Sequence, residues 1–411
     1  MPSVKSLEQA PSNKPQRAPL FVLFLTVFVD LLGFGIVIPF LPIYAQRLNV
    51  GAASVGLILS AYSLMQFVCA PILGRISDRV GRRPVIMLGL LGSSLSYVIY
   101  GFADSFSGLL VSRAVHGACA ATISTAMAYV ADTTGETERA HGMGMIGAAF
   151  GLGFVLGPAL GGLLGHSSLR TPVFAAAALT FANLIFAAMA LPESHPISTR
   201  SHLQWSGLLK PASILPYQLT RHRLSPLFWV AFLGTFAMAG FETTFALMAR
   251  QLHGYGAYGV GGLLAFAGIV QAFTQGYLIR KCVPRSGELN LIRGGLIAFA
   301  FGMAPMASFV SPVMLLVTLA FLSLGYGFVS PSVASLISKC SEGHQQGEVL
   351  GLNQSALALA RICGPIAGGV VYQRLGAPAA YFGGGLVAII ALLPTLGIEP
   401  APEAPKGRPS R

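Results

Sequence analysis

The sequence predicts an all-α membrane protein, with twelve transmembrane helices arranged as two pseudo-symmetric six-helix halves. Three observations lead there. First, 54% of the 411 residues are hydrophobic and only 10% charged, with a mean hydropathy of +0.69, whereas a water-soluble domain carries about a quarter charged residues. Second, long apolar runs recur, from Leu20 to Tyr44 and from Pro84 to Ala103 for example, each sufficient for a helix of about 20 residues across ~30 Å of hydrocarbon. Nothing repeats as ten-residue alternation, which excludes a β-barrel. Third, Gly157-Pro158-Ala159-Leu160-Gly161-Gly162 returns 207 residues later as Gly364-Pro365-Ile366-Ala367-Gly368-Gly369, the trace a duplicated six-helix unit leaves.

Apolar runs and the breakers between them give the elements in order. Residues 1–18 form a polar, basic tail, and the apolar segment after it is too long for a signal-peptide core and lacks a small-residue cleavage site. The first half, 19–191, holds spans near 19–45, 53–75, 84–104, 107–131, 139–166 and 170–191. Residues 192–224, rich in Pro, Ser, His and basic side chains, read as a linker on the cytoplasmic side. The second half, 225–397, holds spans near 225–250, 257–279, 290–310, 312–337, 347–372 and 377–397, and 398–411 is a C-terminal tail.

Charge orients the bundle. With the N-terminus in the cytoplasm, 20 of the 26 Lys and Arg fall on the cytoplasmic side, 4 outside (Arg47, Arg170, Arg250, Arg374) and 2 within spans (Arg113, Arg361). That bias predicts a multi-pass inner-membrane protein with both termini cytoplasmic. The net charge of +12 is scattered over short loops, so it reads as topology and not as a nucleic-acid surface. The five cysteines lie in spans or at their ends with no CxxC pair, so packing is expected of them, with no disulfide or metal.

The sharpest motif joins spans two and three: Gly74-Arg75-Ile76-Ser77-Asp78-Arg79-Val80-Gly81-Arg82-Arg83-Pro84. A positive-inside loop explains the arginines, but not an acid among them or the glycine spacing. Asp78 at a helix end can accept backbone N–H groups or pair with arginine, and Gly81 permits a tight turn. This stretch resembles the GxxxDRxGRR signature of major facilitator transporters, matched at each fixed position. The resemblance implies that Asp78 latches the first half to the N-terminus of span eleven, with Arg79 and Arg83 in the same gating loop and Arg82 paired with Asp132 at the end of span four. The second half keeps only a remnant, Gly276 to Arg285, with Arg280 where the repeat would place an acid.

Span five carries Gly147, Gly151, Gly153, Gly157, Gly161 and Gly165 on one face, with Pro158 able to kink it. It resembles the glycine-proline motif of the antiporter branch, although general small-residue packing explains the glycines as well. Gly142 to Gly147 formally satisfies GxGxxG, but no strand precedes it.

Of the 14 acids only Asp30 and Glu242 lie well inside spans, and the buried bases are Arg113 and Arg361. A charge at bilayer depth costs roughly 3 kcal/mol or more unless paired or wetted, so these four mark a polar pathway or an internal charge network. Asp30 opens a run to Pro39 that resembles the first-helix motif of drug:proton antiporters, and Arg113 with Gly117 resembles their fourth-helix RxxxG motif, implicated in proton transfer. The other reading of Asp30 and Arg113 is an ion pair that locks helices. At ~1.5 Å per residue Asp30 lies ~18 Å below an outer boundary near Pro42, and Arg113 ~9 Å below one near Ser107, so direct pairing requires the arginine to reach inward. Glu242 is a candidate second proton or cation site, Arg361 either neutralises an acid or binds an anion, and His116 is a packed bundle histidine or a proton relay.

GxxxxGK[ST], HExxH and GxSxG are absent from the sequence, so no enzyme chemistry and no cofactor is expected. The resemblance implies a proton-coupled antiporter that exports a small hydrophobic organic compound, with substrate, protons and lipid as its partners, and a monomer. A proton:solute symporter importing a sugar or organic acid shares the fold and gate. A receptor or scaffold would need larger extramembrane parts than a ~33-residue linker.

Overall fold

The computed structural model describes residues 17–134, 136–166, 168–194, 224–308, 311–340 and 346–398. Residues 1–16 and 399–411 of the expected tails and the body of the linker lie outside these described residues, and the first helix takes in Arg17 and Ala18 of the expected tail.

Among the described residues there are ten helical stretches long and apolar enough to cross a bilayer. Two of them, Ala257–Ser308 and Val349–Leu396, are 52 and 48 residues long, more than twice the ~20 residues a crossing needs. Each is broken at a glycine in the left-handed region, Gly287 (φ 72°) and Gly376 (φ 86°). Divided there, they give twelve crossings. Gly81 (φ 111°) makes the corresponding turn between Ala52–Val80 and Arg82–Phe102.

Three boundaries differ from the sequence expectation. Span two runs on to Val80, so Asp78 and Arg79 sit on helix and only Gly81 turns. The stretch from Gly276 to Arg285, expected as a loop, is helical and continues span eight through a π-helical turn at Thr274–Leu278. Span four is two helices, Phe106–Cys119 and Thr122–Thr133, broken at Ala120 and Ala121. In each case continuing the helix, or re-satisfying the broken one from a neighbour, leaves no backbone group stranded, a tertiary effect that composition does not reveal.

Small residues set the packing. In the first half a Cβ on Gly157 would lie 2.6 Å from Gly35 on span one; in the second, a Cβ on Gly364 would lie 2.6 Å from the Phe236 carbonyl on span seven. The last glycine of each repeated hexamer faces the opposite half: Gly162 meets Gly261 of span eight, and Gly369 meets Ala52 of span two. The repeat is thus structural as well as sequential, one face holding its own half together and the other joining the two halves.

The apolar core divides unequally. At the basic end, which holds the Gly81 and Gly287 turns, each half has its own cluster: Leu23, Val27, Ile86, Leu90 and Tyr129 in one, and Phe228, Ile292, Leu296, Val333 and Leu352 in the other. At the far end a single cluster spans both halves, with Phe40, Val55 and Ile58 beside Phe241, Phe245 and Val260. Two hydrogen bonds between halves lie on that far side: Ser60 Oγ donates to the Ile362 carbonyl at 2.6 Å, and the Ala53 N–H donates to Gln373 Oε1 at 2.9 Å. Among the described residues the halves are thus joined through a shared core at the far end, and at the basic end each keeps a core of its own. Around its rim Leu88, Leu91, Leu95 and Phe102 of span three are exposed, a row that lipid, not water, suits.

Candidate functional site

Asp30 stands on the first helix, Arg17–Val37, beside the hydroxyls of Ser93 and Thr122. Its Oδ1 is buried and makes no hydrogen bond. Arg113, 1% exposed, is the largest of the fully buried side chains, and its Nε, Nη1 and Nη2 all lack hydrogen-bond partners. The guanidinium instead lies over the rings of Tyr97 and Tyr100, at 5.8 and 5.3 Å from their centroids. Such contacts are worth ~2 kcal/mol each when desolvated. The helix-locking Asp30–Arg113 ion pair is therefore not formed in this conformation: aromatic faces, not the carboxylate, hold the arginine.

His116 follows one turn on, its ring edge-on to Tyr97, Tyr62 and Phe34 at 5.0, 5.1 and 5.8 Å. Its Nδ1 has no partner, and the residue is 4% exposed. Gly117 explains the spacing after Arg113, because a Cβ there would lie 2.2 Å from the Tyr62 carbonyl oxygen. The glycine lets span two settle on span four, which brings Tyr62 against His116. Gln66, one turn beyond Tyr62, donates to the Ala120 carbonyl at 3.4 Å, where span four breaks.

A second group lies across the bundle. Glu242 on Ser225–His253 is enclosed on all sides by protein, yet its side chain is accessible to solvent. Both hold together if the carboxylate lies on the wall of a cavity that penetrates the bundle. Arg361 on span eleven is likewise accessible, within electrostatic range of Glu242, Tyr326 and Tyr62. Glu242 and Arg361 form no ion pair with each other. Tyr62 lies in the fields of Asp30, Arg113 and Arg361 together, so it links the two groups. Two surface hollows, of about 370 and 450 Å³, lie at the basic end of the second half and between the far ends of the two halves, and neither is lined by these charges. Charge placement, not hollow size, therefore marks the site.

At the basic end Arg82, 7% exposed, donates to Asp132 at 2.8 Å and to Ser77 Oγ at 2.7 Å, and also pairs with Asp78. Asp78 thus faces its own loop, and the latch to span eleven is not made among the described residues, as the parted cores require. Gly74 stands in open space, and Arg79 and Arg83 complete the turn, with Arg83 donating to the Ala188 carbonyl. The N–H groups of Arg82 and Arg83 donate to Glu193 at 2.8 and 3.3 Å, a cap supplied from the end of span six. Glu193 had been assigned to the linker.

The second half holds a counterpart that the motif search missed. Glu288, next to Gly287, accepts from Lys339 and, at 3.1 Å, from Ser335. Lys339 lies 207 residues after Asp132, so the pair occupies the same place with its signs reversed. Burial works against ionisation of Glu288, but the bonds from Lys339 and Ser335 outweigh it and hold the carboxyl below its ordinary range. Glu288 lies 206 residues after Arg82, each directly following its turn glycine, whereas the letter-for-letter counterpart of the motif acid is Arg280.

Helices of this number, duplicated and closed at one end around unpaired internal charges, define a multi-pass membrane transporter, not an enzyme. The chain belongs to the Major Facilitator Superfamily, whose profile matches residues 23–362. It is 32% identical over 377 residues to Multidrug resistance protein 2 of Bacillus subtilis (strain 168), covering 88% of this chain and 90% of that protein. It is 31% identical over 364 residues to Tetracycline resistance protein, class C, of Escherichia coli, covering 86% and 89% respectively. Among solved structures it is similar to the human organic anion transporter MFSD10 (TETRAN), at 29% identity and TM-score 0.70, over 93% of this chain and 100% of that one.

Proposed function

We propose that this chain is a proton-coupled antiporter that exports a small hydrophobic organic compound by alternating access. The observation that carries the reading is the pairing of a bundle shut at one end with two internal carboxylates, Asp30 and Glu242, that no basic side chain neutralises by contact. A permanent structural charge at that depth would be paired; an acid that must take up and release a proton has to be left free to do so. The names of the multidrug and tetracycline relatives support an exported organic compound.

In this reading the halves are 19–191 and 225–397, both tails and the linker 192–224 are cytoplasmic, the protein is a monomer in the inner membrane, and the basic end faces inward. The conformation is then inward-open. Substrate enters between the halves from the cytoplasm, the far end opens as Gly162 and Gly369 part from their partners, and protonation of Asp30 or Glu242 from outside accompanies release. Arg113, held by aromatic rings, is free to meet Asp30 when the helices move, and His116 packs beside it.

The test is proton flux in everted vesicles carrying a pH dye, challenged with cationic, neutral and anionic lipophilic compounds. Substrate-triggered proton release from acidified vesicles, lost in Asp30→Asn or Glu242→Gln, is the expected result. Proton movement in the same direction as the substrate would replace the reading with symport.

A further inference from the structure

Arg361 has no task in the proposed proton cycle, and its surroundings are informative. It lies one helical turn from Pro365, whose carbonyl oxygen would be 2.2 Å from a Cβ on Gly56 across the closed gate. The next residue, Ile362, accepts the Ser60 hydroxyl. Arg361 therefore sits about one turn inside the contacts that join the far ends of the halves. Its side chain is exposed, as is that of Glu242, and because Gly364 and Pro365 one turn on meet Phe236 of span seven and Gly56 of span two, Arg361 faces the interior between those helices. If Arg361 served only to neutralise Glu242, the two would touch and be shielded from solvent; instead each presents a separate charge to the same space.

Aromatic side chains lie near these charges in both halves. Phe34 packs on Tyr62 at 5.3 Å and on Phe154 at 5.9 Å in the first half, and Phe299 packs on Tyr326 at 5.9 Å in the second. Phe34, Tyr62 and Tyr326 are only partly buried, and Tyr62 and Tyr326 are both within the field of Arg361. A flat apolar body suits such rings. The guanidinium is a fork matched to a carboxylate or similar planar anion, and the glutamate accepts a cationic or N–H group.

Resting on the transport reading above, we infer that the substrate is an amphoteric aromatic compound, with its anionic group on Arg361 and its cationic or N–H group at Glu242. A neutral or purely cationic molecule would leave Arg361 without a partner, and a purely anionic one would be repelled by ionised Glu242. The amphoteric form satisfies both, and its cationic group takes the place of the proton on Glu242, with that proton released to the cytoplasm.

Fluorescence anisotropy of two dyes with the purified full-length protein tests this. Rhodamine B carries a cationic ring system and a free carboxylate; its ethyl ester keeps the ring system and lacks the anion. Wild type should bind the acid at least about tenfold more tightly than the ester, the increment of one charge-assisted pair. Arg361→Gln should bring that ratio to about one by weakening the acid alone, and Arg361→Lys should retain a preference. An ester bound as tightly as the acid by wild type, or a ratio unchanged in Arg361→Gln, overturns the inference. The assay reads neither direction nor protons, so a retained carboxylate preference without proton-coupled export would refute the proposed function and leave this inference standing.

Discussion

Replacing Gly56 with alanine should force the closed end open. The new Cβ would lie 2.2 Å from the Pro365 carbonyl oxygen, 1.2 Å short of the 3.4 Å at which ordinary contact begins, and 3.1 Å from the Ile366 Cα. Both neighbours are backbone, so no side chain can rotate away and spans two and eleven must separate. Overpacking of this kind costs about 1–3 kcal/mol. The same separation stretches Ser60 to Ile362 and Ala53 to Gln373, each worth ~1 kcal/mol. The closed state thus loses about 3 kcal/mol relative to the open one, roughly a hundredfold shift in population. Spin labels at exposed Arg47 and Arg374, in a version with the five cysteines replaced, read the separation directly. The long-distance population should grow in Gly56→Ala and stay unchanged in Gly74→Ala, where a Cβ meets nothing within 4 Å. An unchanged distribution in Gly56→Ala, or an equal shift in both variants, would refute the argument.

Other consequences follow from the same contacts. Exchanging the charges as Glu288→Lys with Lys339→Glu should restore transport that either single change reduces; double-mutant analysis should give a coupling of ~1 kcal/mol or less, since Lys339 is half exposed. Gly117→Ala places a Cβ 2.2 Å from the Tyr62 carbonyl and should abolish transport with only a modest loss of purified protein, checked by uptake normalised to yield. Gln373→Leu removes the acceptor for the Ala53 N–H, a cap supplied across the gate, and should weaken closure by ~1 kcal/mol, read as faster labelling of a cysteine at Ala52.

Topology was legible in the sequence because a bilayer demands long apolar helices whatever their partners, and the repeated glycine-proline hexamer marked the duplication, while its contact partners Gly35, Phe236, Gly261 and Ala52 came only from the fold. The Asp132 partner of Arg82 followed from the loop motif. What escaped depended on three dimensions. The break in span four at Ala120 carries no proline or glycine at the break itself, and Gln66 of another helix supports it. Tyr97 and Tyr100 belong to no motif, yet they hold Arg113. Glu193 caps span three from 110 residues away, and Glu288 with Lys339 preserves a position while inverting its charges, which a search for identical letters overlooks.

The central claim is that Asp30 and Glu242 couple protons to substrate, so that coupling can be lost while substrate exchange survives. Proteoliposomes separate the two roles when uptake driven by an imposed pH gradient is measured beside substrate counterflow with no gradient. The account predicts that Asp30→Asn and Glu242→Gln both lose gradient-driven accumulation, and that Asp30→Asn, which removes no substrate contact, retains counterflow. Accumulation equal to wild type in both variants would contradict it.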